Sequence, residues 1–141
     1  MLIRIEAGSV SCFARLGEEW RALEARAPHA SFFQGWTWMG CLAEERFPNP
    51  VLVRAEVDGV LVGLALFNRR RGRLYLSESG DPVMDAPFIE HNAPLIAEGA
   101  PPEVLPAMLR AAWRSGWNWG MPLSGVPPEV AAAAGGVGWR T

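Results

Sequence analysis

The sequence predicts a layered α/β (α+β) domain with a mixed, largely antiparallel sheet, a central hairpin and helices on both faces. Three observations carry this. Val51–Val57 and Val60–Phe67 are apolar runs joined by Asp58-Gly59, the dipeptide favoured at the centre of a type I′ hairpin because both positions need positive φ. The second run is apolar on both faces, with Val60, Val62, Leu64 and Leu66 on one and Leu61, Ala65 and Phe67 on the other. A strand with water on one side would alternate, so this one belongs mid-sheet, covered above and below. Stretches of helical period flank the ribbon and supply the cover.

Each element has its own signal. Leu2–Glu6 alternates weakly, as a short first strand does. A helix is predicted over about Val10–Ala27, with Phe13, Leu16, Trp20 and Leu23 on one stripe, Ser9 or Ser11 as cap and Pro28 as stop. Ser31–Gly35 is a break. A second helix follows over about Trp36–Phe47, placing Trp36, Met39, Ala43 and Phe47 on one face and Trp38 and Leu42 on a flanking ridge. Pro48-Asn49-Pro50 ends it. The hairpin turn sets Val57 opposite Val60 and puts Val51, Val53, Ala55 and Val57 on one face, Arg54 and Glu56 on the other. After the basic turn Arg69–Gly72, Leu74–Ser77 makes a third ribbon strand.

From Gly80 to Pro102 runs a long segment that contains Pro and Asp. So long a loop is either functional or hides a strand. Phe88-Ile89 and Ala93–Ala97 are the candidates, kept short by Pro87 and Pro94. A third helix is expected from near Pro102, with a stripe of Leu105, Met108, Leu109, Ala112 and Trp113 and with Gly116 at C′. Pro106 argues for a start one turn later. Trp117, Trp119, Met121 and Leu123 alternate as in a half-buried strand. Pro127-Pro128 opens a short Ala-rich helix that Gly135-Gly136 closes, and Val137–Thr141 points toward another strand. With no strand after it, the last helix is expected to lack a partner for its apolar face, as in a domain whose C-terminal half is missing.

The totals narrow the function. The 141 residues suit one domain, half of them hydrophobic and about a fifth charged. A formal net charge of −2 gives no general attraction to nucleic acid. All 13 basic residues are Arg, which excludes a Schiff-base or P-loop lysine. Cys12 and Cys41 stand in predicted helices without a CxxC pair, and are expected to be small buried hydrophobes. Neither a signal peptide nor an apolar run long enough for a bilayer is present, so a reduced cytoplasmic setting is expected, with no membrane partner. Most of the seven Trp are expected in the core.

Phe33-Gln34-Gly35-Trp36-Thr37-Trp38, then Asp58-Gly59-Val60-Leu61-Val62-Gly63-Leu64-Ala65-Leu66, then Gly80-Asp81 to Asp85 together resemble, in order and spacing, the front half of the Fem-like and CelD-like acyltransferases of the GNAT (N-acetyltransferase) fold group. The resemblance implies N-acyl or aminoacyl transfer to an amine. It further implies acyl-CoA (acetyl-CoA) as co-substrate and a small-molecule acyl donor and amine acceptor as partners; no metal is expected. Acyl-CoA features in that family usually lie in the later half. Residues 1–141 are therefore expected to form a GNAT-like N-terminal half, not catalytic alone, that works with its missing half or in a homodimer. The CoA pyrophosphate needs backbone N–H groups at a helix start, typically in an Arg/Gln-x-x-Gly-x-Gly/Ala loop. The nearest string is Arg69–Leu74, with Arg71 and Gly72 as candidate cofactor contacts; it ends in Leu and runs into a strand, so a basic hairpin turn is the alternative.

Acyl transfer to an amine needs a base near the nucleophile. The loop Gly80–Asn92 gathers Asp81, Asp85, Glu90, His91 and Asn92 just past a predicted strand end. Glu90 or His91 is the candidate base. Asp81, Asp85 and Asn92 are candidate substrate contacts, with Asn92 orienting. Equally, Asp81-Pro82 and Asn92 are turn formers and His91 a surface residue. Asp81, Asp85 and His91 match no standard metal spacing. Trp36 and Trp38 either line a substrate groove or pack the core. His29, beside Pro28, is expected at the surface. The competing reading is a non-catalytic module that completes a fold or positions a ligand, recognisable by an exposed apolar strip near Val126–Trp139.

Overall fold

The computed structural model describes residues 1–85 and 92–135. Its elements are β1 (Ile3–Ser9), α1 (Phe13–Glu24), a 3-10 turn (Phe32–Gln34), α2 (Trp36–Arg46), β2 (Pro50–Val57), β3 (Val60–Arg70), β4 (Arg73–Leu76), β5 (Leu95–Ile96), α3 (Val104–Arg114) and α4 (Pro128–Gly135). The predicted hairpin organises the sheet. Asp58 and Gly59 have φ of 50° and 83°, and Val57 opposes Val60. Asp58 also ties down the chain start: its carboxylate accepts from the Leu2 amide at 2.8 Å, and its own amide donates to the Leu2 carbonyl at 2.9 Å. β1 then runs antiparallel along β2, from Ile3 opposite Val57 to Ser9 opposite Val51.

β3 is central, as its two apolar faces require. β2 lies along one edge, with a bulge at Ala55/Glu56, and β4 and β5 share the other. All named strand pairs are antiparallel; one parallel bridge joins Arg73 and Gly120. The two sheet faces carry different helices. Arg54, on one face of β2, reaches Glu19 of α1. On the other, Val53 and Ala55 are fully buried and Gly63 lies under Met108 of α3. The mixed α/β architecture with helices on both faces is therefore what the residue pattern predicts.

Two helix details differ from expectation for simple reasons. α3 begins at Val104, two residues past Pro102, so Pro106 takes its third position, where the N–H has no partner in the helix anyway. Neither Ser9 nor Ser11 caps α1; Ser9 ends β1, and Cys12 stands at the cap without a side-chain bond.

Three expectations are corrected. Cys12 and Cys41 are exposed, not buried: Cys41 sits about 200° around α2 from the buried Met39, and Cys12 precedes the first turn of α1. Residues 117–123 form no strand. The amide of Trp119 donates to the Gly72 carbonyl at 2.6 Å and that of Leu74 to the Gly120 carbonyl at 3.0 Å, but two residues on, the outward Leu76 carbonyl is taken by the Asn92 side chain, so the ladder stops. Met121 is buried, while Trp117 and Trp119 are 89% and 79% exposed, so the three do not share the expected buried strand face; Trp20, Trp36, Trp38 and Trp113 lie in or against the core. Finally, the apolar face of α4 has a partner: Val130 and Ala134 are buried, with α4 packed on α3. Phe88-Ile89, Gly136 and Val137–Thr141 lie outside the described residues.

Candidate functional site

β4 and β5 are two pieces of one edge strand. β4 pairs with Phe67–Arg70 and β5 with Gly63 and Leu64, so both follow the same edge of β3 in line. Between them the chain leaves the sheet at Ser77 and returns at Pro94. Ser77 donates to the Leu66 carbonyl at 2.9 Å and turns out with φ of 55°, an uncommon conformation for a side-chain-bearing residue. The Asp85 carboxylate gathers the start of the excursion. It accepts from the Ser79 amide (2.9 Å), the Ser79 hydroxyl (2.8 Å) and the Gly80 amide (2.8 Å). The buried Asn68 side chain holds the Ser79 carbonyl at 2.6 Å.

Glu78 is the functional candidate that the sequence reading missed. Half-buried, it has a carboxyl held above the usual glutamate range, first by burial and then by the Asp85 charge; a hydrogen bond with Ser124 partly offsets both. Trp38, Leu42, Arg46 and Met84 close around it and Asp85. The Trp38 ring stacks edge-on to Phe33 at 5.3 Å, and its buried indole N–H meets no acceptor among the described residues. The available signal was position: Glu78 is the first charged residue past the predicted third strand.

The other candidates fall in different places. Trp36 packs its indole between Gly17 of α1 and Gly40 of α2 and lies 5.6 Å from Trp20, which makes it a packing residue. Asn92 is 1% exposed; its side-chain amide donates to the Leu76 (2.8 Å) and Ser124 (3.0 Å) carbonyls. Asp81 accepts from the Val83 amide at 2.9 Å and pairs with Arg70 at 3.3 Å; these contacts, the backbone bond foremost, hold its carboxyl below the usual range. Arg71 and Gly72, with φ of 50° and 77°, are the centre of the β3–β4 turn. Arg71 and Asp81 meet at a cleft of about 470 Å³ beneath the end of α2. Glu90 and His91 lie outside the described residues.

A second cleft, of about 210 Å³, opens between residues 27–34 and β5. Ala97 donates to the Val62 carbonyl, which makes that a hydrogen-bonded pair, so by antiparallel alternation Ile96 turns its N–H and C=O away from β3. On this outer edge the Gln34 side chain bonds the Pro94 carbonyl at 3.2 Å, and the Glu98 amide bonds the Arg26 carbonyl at 2.8 Å. Ile96 lies between these two ties. His29, exposed as expected, stands over the cleft 3.8 Å from Glu98.

No protein-family model matches the chain, and no curated protein matches it. Among solved structures it is similar to AAC(6')-Iy in complex with the bisubstrate analog CoA-S-monomethyl-acetylneamine. The identity is 14% and the TM-score 0.50, over 100% of this chain and 92% of that one. At such identity the likeness speaks to the fold alone: the chain has a GNAT-like fold.

Proposed function

We propose that this chain is an acyltransferase-type domain that moves an acyl group from a CoA thioester to an amine, in concert with a second half or a partner. The observation that carries the reading is the outward edge at Ile96. The arm of a CoA thioester is an extended chain interrupted by amides, so it can add to a strand edge as a peptide does. The Ile96 N–H and C=O face such a ligand beside an open cleft.

From Ile96 to Leu76 the edge spans four positions on β3, about 13 Å. Just past Leu76 comes Glu78. In the proposed step the amine nitrogen bonds the thioester carbon and the thiolate leaves with the electrons of the broken C–S bond. Glu78 takes the proton given up by the amine. Its raised affinity for protons suits that task near neutral pH, and the adjoining Trp38 ring suits a cationic amine before it is deprotonated. Glu90 and His91 are the alternative bases. Asp81 and Asp85 shape the acceptor side; Asn92, committed to two carbonyls, holds the loop in place; Trp36 sets the position of α2. Arg71 and Gly72, in the turn at the other end of β4 from Ile96, fall on the acceptor side in this arrangement.

The start of α3 favours a contribution from outside. Pro101, Pro102 and Pro106 remove three amide donors there, and Glu98 and Glu103 add negative charge, which opposes a phosphate at this helix end. The same observation favours the second reading, a ligand-positioning module that binds without turnover. Calorimetric titration with acetyl-CoA tests the proposal. Saturable binding that is weakened by Ile96→Pro, which deletes the edge donor, supports it. A folded protein at high concentration that gives no heat overturns both readings.

A further inference from the structure

We propose that the end of the domain carrying Trp117 and Trp119 is a docking surface for an anionic lipid bilayer. Charge is segregated along this chain. Residues 59–77 and 104–128 contain none of the 15 acidic residues but six of the 13 arginines, Arg69, Arg70, Arg71, Arg73, Arg110 and Arg114; of these, Arg70 is paired with Asp81. The net charge of −2 conceals this. The two acid-free segments meet where the chain after α3 bridges to β4: Arg73 with Gly120, and Trp119 against Gly72. Arg73 and Arg114 are exposed there.

The two indoles are outward but not loose. The Trp119 amide is bonded to the Gly72 carbonyl. Asn118, between the rings, donates to the Trp113 carbonyl at 2.8 Å and accepts from Arg69 at 3.3 Å. Neither ring lines any cleft described above. Their side chains combine an apolar body with one N–H donor, which suits the headgroup layer of a bilayer, and neighbouring arginines can rest on lipid phosphates while their stems stay among the tails.

Other occupants fit less well. A second copy joined face to face would set these arginines against their own counterparts. A second copy joined head to tail would make a ring or an open chain rather than a closed pair. A single nucleic-acid strand needs a basic groove beside its stacking rings. A fluid, anionic, interfacial layer needs neither groove nor shape match. No helix among the described residues is long and apolar enough to cross a membrane, so the contact is peripheral.

The test is co-sedimentation with vesicles of phosphatidylcholine containing about 30% phosphatidylserine, against phosphatidylcholine alone. The expected result is binding to the anionic vesicles only, weakened by high salt. The double variant Trp117→Ala/Trp119→Ala should lose roughly tenfold or more in partitioning. Arg73→Gln and Arg114→Gln should each lose roughly fivefold. Both rings are exposed, so the double variant should keep the parent circular-dichroism melt, which separates lost docking from lost fold. Equal binding to neutral vesicles overturns the proposal. So does undiminished binding by the double variant, or retention of a single-stranded oligonucleotide in place of vesicles. None of these outcomes bears on acetyl-CoA binding.

Discussion

At the residue scale the two shifted glutamates make opposite pH predictions. The Glu19 carboxyl is lowered, chiefly by its hydrogen bonds from Arg54, at 2.5 and 2.8 Å between α1 and β2. Its contribution to stability is complete above the ordinary glutamate range and is lost as pH falls through the lowered folded value. Glu19→Gln should therefore cost about 1 kcal/mol at neutral pH, a modest figure because both side chains are partly exposed. It should also flatten the loss of stability in acid. Glu78 runs the other way. Its folded carboxyl is raised, so stability is greatest below the ordinary glutamate range and falls as pH rises through the folded value. Glu78→Gln should remove that fall. Melting temperatures of the parent and each variant between about pH 3 and 8 check both predictions. If Glu78 is the base, the same variant paired with its completing half should lose roughly 10²–10⁴-fold in turnover while still binding the thioester.

At the scale of elements, the α1–α2 contact turns on an absent side chain. The Trp36 indole fills the space that a Cβ on Gly17 or Gly40 would enter, with closest approaches of 2.5 and 2.7 Å. An indole is rigid and cannot fold its tip away. Gly17→Ala and Gly40→Ala should each destabilise the protein by roughly 1–3 kcal/mol, read as a lower denaturation midpoint with an unchanged slope. Gly8→Ala, at an exposed position with open space around it, is the control. Periodicity revealed which faces of α1 and α2 are buried, because Leu16, Trp20, Leu23, Met39 and Ala43 recur at helical spacing. It could not reveal that Trp36 belongs between two glycines of different helices, since that is a property of the pair. The stretch 117–123 shows the reverse failure. Its alternation is a strand signal, but a strand also needs a free edge, and Asn92 occupies the next position of that edge.

At the scale of the whole molecule, the ribbon was readable because local and distant requirements agree: Asp58-Gly59 fixes the reversal, and the doubly apolar β3 must be central. The candidate site was only partly readable. The loop after β4 could be singled out by its polar residues, but which of them face the edge depends on the distant contacts that fold it back. Asn92 makes the point. In sequence it is a turn former or a substrate contact. In the fold it joins three stretches: the end of β4 through the Leu76 carbonyl, the segment before α4 through the Ser124 carbonyl, and its own strand entry through an amide bond to Gly125 at 2.9 Å. Asn92→Ala strands two carbonyls that share a buried donor, with no side chain left to reach them. It should cost about 2–3 kcal/mol, visible as a lower denaturation midpoint. Asn92→Asp should be at least as damaging, because it places an acceptor against two acceptors. If Asn92 instead served a substrate and not the fold, both variants would keep the parent stability and lose only ligand affinity, so a denaturation curve measured beside an acetyl-CoA titration separates the two roles.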